Sequence, residues 1–161
     1  MGRYYNTSTG REGKFMFGVQ PSDDPYYMGM GEDPTYIHYY AGEDDTEIIK
    51  KKLDKQYDFL GVDKKDRLYD LPRNKDGTDD TKAYYKWEEE VMHDKIWRSV
   101  KREDMTEKEK KQVGWSSIKG NEYTDLEIGK GKCLALARIR LGLIILSDLK
   151  DEGYCSLDAE L

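Results

Sequence analysis

The segment from Asp125 to Lys150 constrains the fold more than any other part of the chain. Cys133, Leu134, Leu136, Ala137, Ile139, Leu141, Leu143, Ile144, Ile145 and Leu149 cover most of a helix circumference. A helix that is apolar nearly all round has no solvent face, so other elements must surround it. Its unbroken apolar run, Leu141 to Leu146, is far shorter than the about 20 residues a membrane span needs. The pattern therefore predicts a central core helix near 125–150, closed by Gly153 as its C-terminal cap.

Strands and further helices are available to cover it. Tyr154 to Leu161 alternates, with Cys155, Leu157, Ala159 and Leu161 opposite Ser156, Asp158 and Glu160, which predicts a half-buried terminal strand. Gly13 to Gln20 alternates in the same way, with Phe15, Phe17 and Val19 on one side, and Pro21 stops it. Residues 1–12 read as a polar lead-in with a turn at Ser8-Thr9-Gly10, residues 26–34 as an irregular loop, and Thr35 to Tyr40 as another strand. Thr46 to Leu60 has the helical stripe Ile49, Leu53, Tyr57 and Leu60, with Asp44 or Asp45 at its start and Gly61 at its end. A short helix is expected at 64–70, a longer one at about 80–100, and a capped one beginning at Thr106-Glu107-Lys108-Glu109.

The 161 residues fit one domain, 1–161, large enough to bury a core without metal or disulfide. The expected class is α+β: helices packed on a small antiparallel sheet that includes N-terminal and C-terminal strands. Residues 15–19 and 155–161 are expected to pair in that sheet.

Charge narrows the function classes. The net charge is −6, mean hydropathy is −0.94, and successive thirds of the chain carry −4, +1 and −3. None offers the basic footprint from which nucleic-acid binders draw much of their affinity. Lys50, Lys51, Lys52 and Lys55, and Lys108, Lys110 and Lys111, have acids among or beside them and read as solvated helix faces. Cys133 and Cys155 lie far apart in apolar settings, without metal spacing, and read as buried thiols of a reducing compartment. With no apolar h-region at the N-terminus, a cytosolic location is expected.

The motifs with chemical content fail on their spacing. Glu90-Val91-Met92-His93 has the Glu-x-x-His spacing of di-iron bundles, but the chain's other histidine, His38, provides no second copy. Asn74 to Asp80 is neither a calcium loop nor a phosphohydrolase motif, because Pro72 and Ala83 stand where ligands should be and Asn74 where a nucleophile should be; a turn is expected. Gly129-Lys130-Gly131-Lys132 lacks the first glycine of a phosphate loop, Leu126 standing in its place, and reads as a helix start. Ser22, Ser116 and Ser117 lack a nucleophile-elbow setting. No metal or cofactor is expected.

The remaining feature is aromatic. Tyr26, Tyr27, Tyr36, Tyr39 and Tyr40, with Met28 and Met30, crowd into fifteen residues beside Asp23, Asp24, Glu32 and Asp33. Tyrosine gives large contact area at low entropic cost, so the cluster fits a protein interface; the same rings could equally pack the sheet. The candidate binding residues are Asp23, Asp24, Tyr26, Tyr27, Tyr36 and Tyr40.

Gly2-Arg3-Tyr4-Tyr5, Gly13 through Asp24, and Gly153 through Leu161 resemble the opening and closing segments of small uncharacterised proteins of large DNA viruses and phages. The resemblance covers about a fifth of the chain and implies a viral or mobile-element origin, without an activity. The functional expectation is a non-enzymatic protein-interaction or structural protein, with a protein partner or self-association, no membrane and no nucleic acid. The alternatives are a small enzyme acting on a polar substrate through carboxylates such as Asp23 and Asp24, and a nucleic-acid binder. A deep pocket holding acids with raised pKa values would favour the enzyme.

Overall fold

Residues 3–16, 19–32, 37–112 and 123–160 are described in the computed structural model. Along the chain run β1 (Tyr4–Thr7), β2 (Glu12–Lys14), α1 (Asp24–Tyr27), β3 (Gly31–Glu32), β4 (His38–Gly42) and α2 (Thr46–Leu60). There follow α3 (Thr81–Val91), α4 (His93–Ile96), β5 (Trp97–Lys101), α5 (Glu107–Gln112), β6 (Tyr123–Glu127), α6 (Lys132–Glu152) and β7 (Tyr154–Glu160). The fold is α+β, with a five-stranded antiparallel sheet in the order β2-β1-β7-β4-β3 and a separate β5-β6 pair.

The expected core helix is α6, buried from Cys133 to Leu149 except on its arginine face. It packs along α2, which buries its whole expected stripe, Ile49, Leu53, Tyr57 and Leu60. Gly142 allows the close approach: a Cβ there would stand 3.0 Å from Met28 Cε and 3.3 Å from Leu53 Cδ1. Both helices end on left-handed glycines, Gly61 at φ 77° and Gly153 at φ 75°, a conformation a Cβ disfavours. α6 packs on one face of the sheet, where Tyr5, Tyr39, Ala41, Cys155, Leu157 and Ala159 enter the core. The opposite face, with Tyr4, Asn6, Glu12, Lys14, His38, Tyr40, Tyr154, Ser156 and Asp158, is exposed.

Several boundaries differ from the sequence reading. The polar lead-in contains β1, whose Tyr5 and Thr7 point into the core. The strand expected at 15–19 lies earlier, at Glu12–Lys14; Phe15 is buried beyond its end, and Val19-Gln20 form a turn. Gln20 closes that turn, its Oε1 accepting the Met16 N–H at 3.0 Å. This strand and β7 share the sheet without touching, because β1 pairs with both. The loop at 26–34 contains the end of α1 and the two-residue β3. The helix expected at 80–100 stops at Val91, and Trp97–Lys101 instead pairs antiparallel with Tyr123–Glu127. Hence 125–127, expected as the first turn of the core helix, belongs to the strand Tyr123–Glu127, and α6 starts only after Gly131. That partner lies more than twenty residues away, so local periodicity does not reveal the pairing.

Candidate functional site

Two of the candidate residues turn inward. Asp24 is fully buried: its carboxylate accepts Nε and Nη2 of Arg138 at 3.0–3.1 Å and Nε2 of Gln20 at 2.9 Å. Tyr27 is partly covered, with the Arg138 guanidinium 3.8 Å and the Lys52 ammonium 5.1 Å from its ring centre. Asp24 is thus the internal counter-ion of a core-helix arginine. Asp23 and Tyr26 are exposed and border a shallow hollow over Arg138 and Lys52. Tyr36 lies outside the described residues.

Tyr40 is on the sheet's exposed face and does not border that hollow. Its ring lies across Gly31 of the edge strand, where a Cβ would be 2.7 Å from Cε2. It opposes Ser156, so Tyr154 is its diagonal neighbour on β7, about 7–8 Å away. Tyr4 stands at the far side of the same face, opposite Lys14, whose ammonium lies 5.7 Å from the ring centre. Between them a polar row, Glu12, Asn6, Asp158 and His38, crosses four strands, and His38 Nδ1 is hydrogen-bonded to Asp158. Tyr4, Tyr40 and Tyr154 are 48 %, 59 % and 51 % exposed. Strand alternation places them on one surface: Tyr154 falls on the polar side of the terminal strand, while Tyr4 sat unread in the supposed lead-in.

The acids of the interior are bound to arginines. Arg11 holds Asp79 through Nε and Nη2, both at 3.0 Å, and also reaches Asp148 and Asp151. Arg140 holds Glu88 through Nε and Nη2 at 2.7 and 2.8 Å. Asp70 is partly buried, which alone would raise its pKa, but Lys150, Ser147 and Arg73 bring it down to about 2. Asp76, Glu109, Asp125 and Asp151 are lowered too: hydrogen bonds dominate for the first three, while for Asp151 burial is outweighed by Arg73 and Arg11. Burial pushes both thiols up, Cys133 to about 12, so neither is a ready nucleophile.

The rejected motifs have structural roles. Asn74 to Asp79 is a turn closed by the Asn74 N–H to Thr78 carbonyl hydrogen bond of 2.7 Å. At the start of α6, the Glu127 carboxylate accepts the Lys132 N–H at 3.0 Å, occupying the place a phosphate would take. Thr106 and Glu109 form the expected capping box, at 2.9 and 3.2 Å. Ser99 Oγ and His93 Nε2 both bind Asp125, at 2.7 and 3.2 Å, so the acid stands between them. A nucleophilic triad needs the imidazole in the middle. Lys50 and Lys110 pair with Glu47 and Glu107 on their own helices. Among the described residues no helix is long and apolar enough to cross a membrane, and no three His, Cys, Asp or Glu side chains converge on a metal site.

No family model, curated protein or solved structure matches the chain.

Proposed function

We propose that the protein is a non-enzymatic interaction protein whose working surface is the exposed face of the sheet, and that it binds a protein surface rich in lysine or arginine. The observation that carries this reading is the placement of Tyr4, Tyr40 and Tyr154, each about half exposed, on a sheet face that no helix among the described residues covers. Tyrosine offers an apolar ring for stacking and a hydroxyl at its rim, the combination enriched at binding hot spots. Glu12 and Asp158 supply carboxylates to the face, while Lys14 is stacked on Tyr4 and His38 is bound to Asp158. Arginine and lysine side chains satisfy both features, stacking on the rings and pairing with the acids. Both edge strands are short, three and two residues, so the face, not the edge, offers the area. With five strands about 4.8 Å apart, the face is roughly 24 Å across, suited to a small, transient interface. The predominance of lowered carboxylate pKa values favours binding over acid–base catalysis. The resemblance of the terminal segments supports a viral or mobile-element origin.

Site-directed photocrosslinking in a lysate of the native cell tests this. A photoreactive phenylalanine at position 40 should capture a discrete partner, and Tyr154→Ala should abolish that capture without changing Tm. The same probe at Ile48, a site on α2 that is also about half exposed, should not capture it. Equal capture from position 48, or capture indifferent to Tyr154→Ala, would overturn the assignment.

A further inference from the structure

A second feature lies on the inner side of the molecule. Tyr5, Leu71, Tyr84, Tyr85, Arg140 and Ile144 border a cleft of about 280 Å³, walled on one side by the edge strand β2. The volume is at the small end for ligand sites, and the lining has their usual character: apolar walls with a few polar groups.

The polar groups are unevenly engaged. Asp79 and Asp80, also in the wall, are committed, the first to Arg11 and the second to the Ala83 N–H at the start of α3. Arg140 gives Nε and Nη2 to Glu88, leaving Nη1 with no hydrogen-bond partner among the described residues. Glu88 also accepts from the Tyr84 hydroxyl at 3.2 Å, which helps to hold the carboxylate that binds Arg140. The Tyr5 hydroxyl has no hydrogen-bond partner among the described residues either, although the residue is only 2 % exposed. The hydroxyl opens into the cleft and not onto a protein acceptor, so it can donate to whatever occupies the cleft. Burial pushes the Tyr5 pKa up, so the hydroxyl stays protonated and donates; the Arg140 charge is close enough to act on it in the opposite sense. Two donors, one cationic, thus lie within electrostatic reach of each other beside aromatic walls.

We propose that this cleft binds a small molecule with an aromatic body and a carboxylate, the ring held among Tyr84, Tyr85, Leu71 and Ile144 and the carboxylate shared by Arg140 and the Tyr5 hydroxyl. A carboxylate accepts from both donors at once, one on each oxygen. A neutral ligand would gain less from a cationic donor at Nη1 than a carboxylate does. This site is separate from the outer sheet face, so either can fail without the other.

Benzoate is the probe. Titration into the ¹⁵N-labelled protein should give saturable shifts at Tyr5, Thr81 and Tyr85, while acetate and benzyl alcohol, which carry only one half of the recognised chemistry, should bind at least tenfold more weakly. Tyr5→Phe removes only the hydroxyl; it should keep the Tm and weaken benzoate roughly tenfold. Arg140→Lys keeps a charge near Glu88 and should also weaken binding about tenfold, because the one ammonium cannot hold Glu88 as a fork and still present the Nη1 donor to the ligand. Shifts confined to other surfaces, benzyl alcohol binding as well as benzoate, or unchanged affinity in Tyr5→Phe would overturn the proposal.

Discussion

Tyr5 and Tyr40 solve the same problem at opposite edges of one sheet, and their surroundings make them different residues. Each lies across a glycine of the neighbouring edge strand: Tyr5 over Gly13, where a Cβ would meet the ring at 2.4 Å, and Tyr40 over Gly31, at 2.7 Å. Aromatic rings laid over edge glycines restore the packing a missing side chain forfeits. Tyr5 does this on the inner face, packed edge-on against Phe15 with ring centres 4.9 Å apart. Tyr40 does it on the outer face, with more than half its surface in solvent. A cross-strand pair therefore fixes geometry but not role. The face of the sheet decides whether the ring belongs to the core and its cleft or to a surface available for binding.

The sharpest break of that comparison uses neighbours on β7. Leu157 is fully buried between β1 and β4, whereas Ser156 faces out beside Tyr40. Leu157→Asp buries an unpaired charge and should cost more than about 4 kcal/mol, abolishing the cooperative unfolding transition. Ser156→Asp should stay within about 0.5 kcal/mol in urea denaturation. Equal effects would mean that the outer face is covered. Asp24→Ala comes next. It leaves the Arg138 guanidinium, 16 % exposed, without its bidentate partner, and should cost about 3–5 kcal/mol by the same measurement. A near-neutral result would return Asp24 to the list of binding residues.

The glycines give a smaller and more selective contrast. Gly13→Ala drives a methyl group into a buried ring whose one open direction is the cleft, and should destabilise by about 1–3 kcal/mol. Gly31→Ala meets a ring that can swing into solvent, and should cost under about 1 kcal/mol. Comparable losses at the two positions would show Tyr40 to be pinned from above.

The main helices were legible because their signals are local. Ile49, Leu53, Tyr57 and Leu60 repeat at helical spacing, Gly61 and Gly153 mark ends, and Thr106 with Glu109 spells its own cap. The terminal strand was legible by its alternation. What sequence could not supply were relations between distant segments. β5 and β6 become strands only through each other, and Val100, at the end of the helix expected at about 80–100, fits a strand as well. β1 is short, with two inward residues, and is recognisable only once β7 lies beside it. The site was half legible for the same reason. A tyrosine-rich stretch can be seen in sequence, but which rings share a face depends on register across strands. The commitment of Asp24 to an arginine 114 residues away leaves no trace nearby.

The smallest expected effect comes from a charge pair that is neither inside nor outside. His93 joins α4 to β6 through Asp125 at 3.2 Å, with Asp94 at 3.4 Å on its other nitrogen. Partial burial lowers its pKa, but the hydrogen bonds to Asp125 and Asp94 outweigh that and raise it above the usual imidazole value. A histidine with a raised folded-state pKa binds its proton more tightly in the native state. Its contribution to stability is therefore complete below the unfolded pKa of about 6.5 and is lost as pH rises through the higher folded value. The ring is 22 % exposed and its acids are more open still, so solvent and salt screen the pair and the contribution should be roughly 0.5 kcal/mol. Urea midpoints of the native protein and of His93→Gln, measured from about pH 5.5 to 8.5, should differ most at the acid end and converge at the alkaline end. A constant offset would make His93 a packing residue like those of the inner face. No offset at any pH would place it with the solvated residues of the outer one.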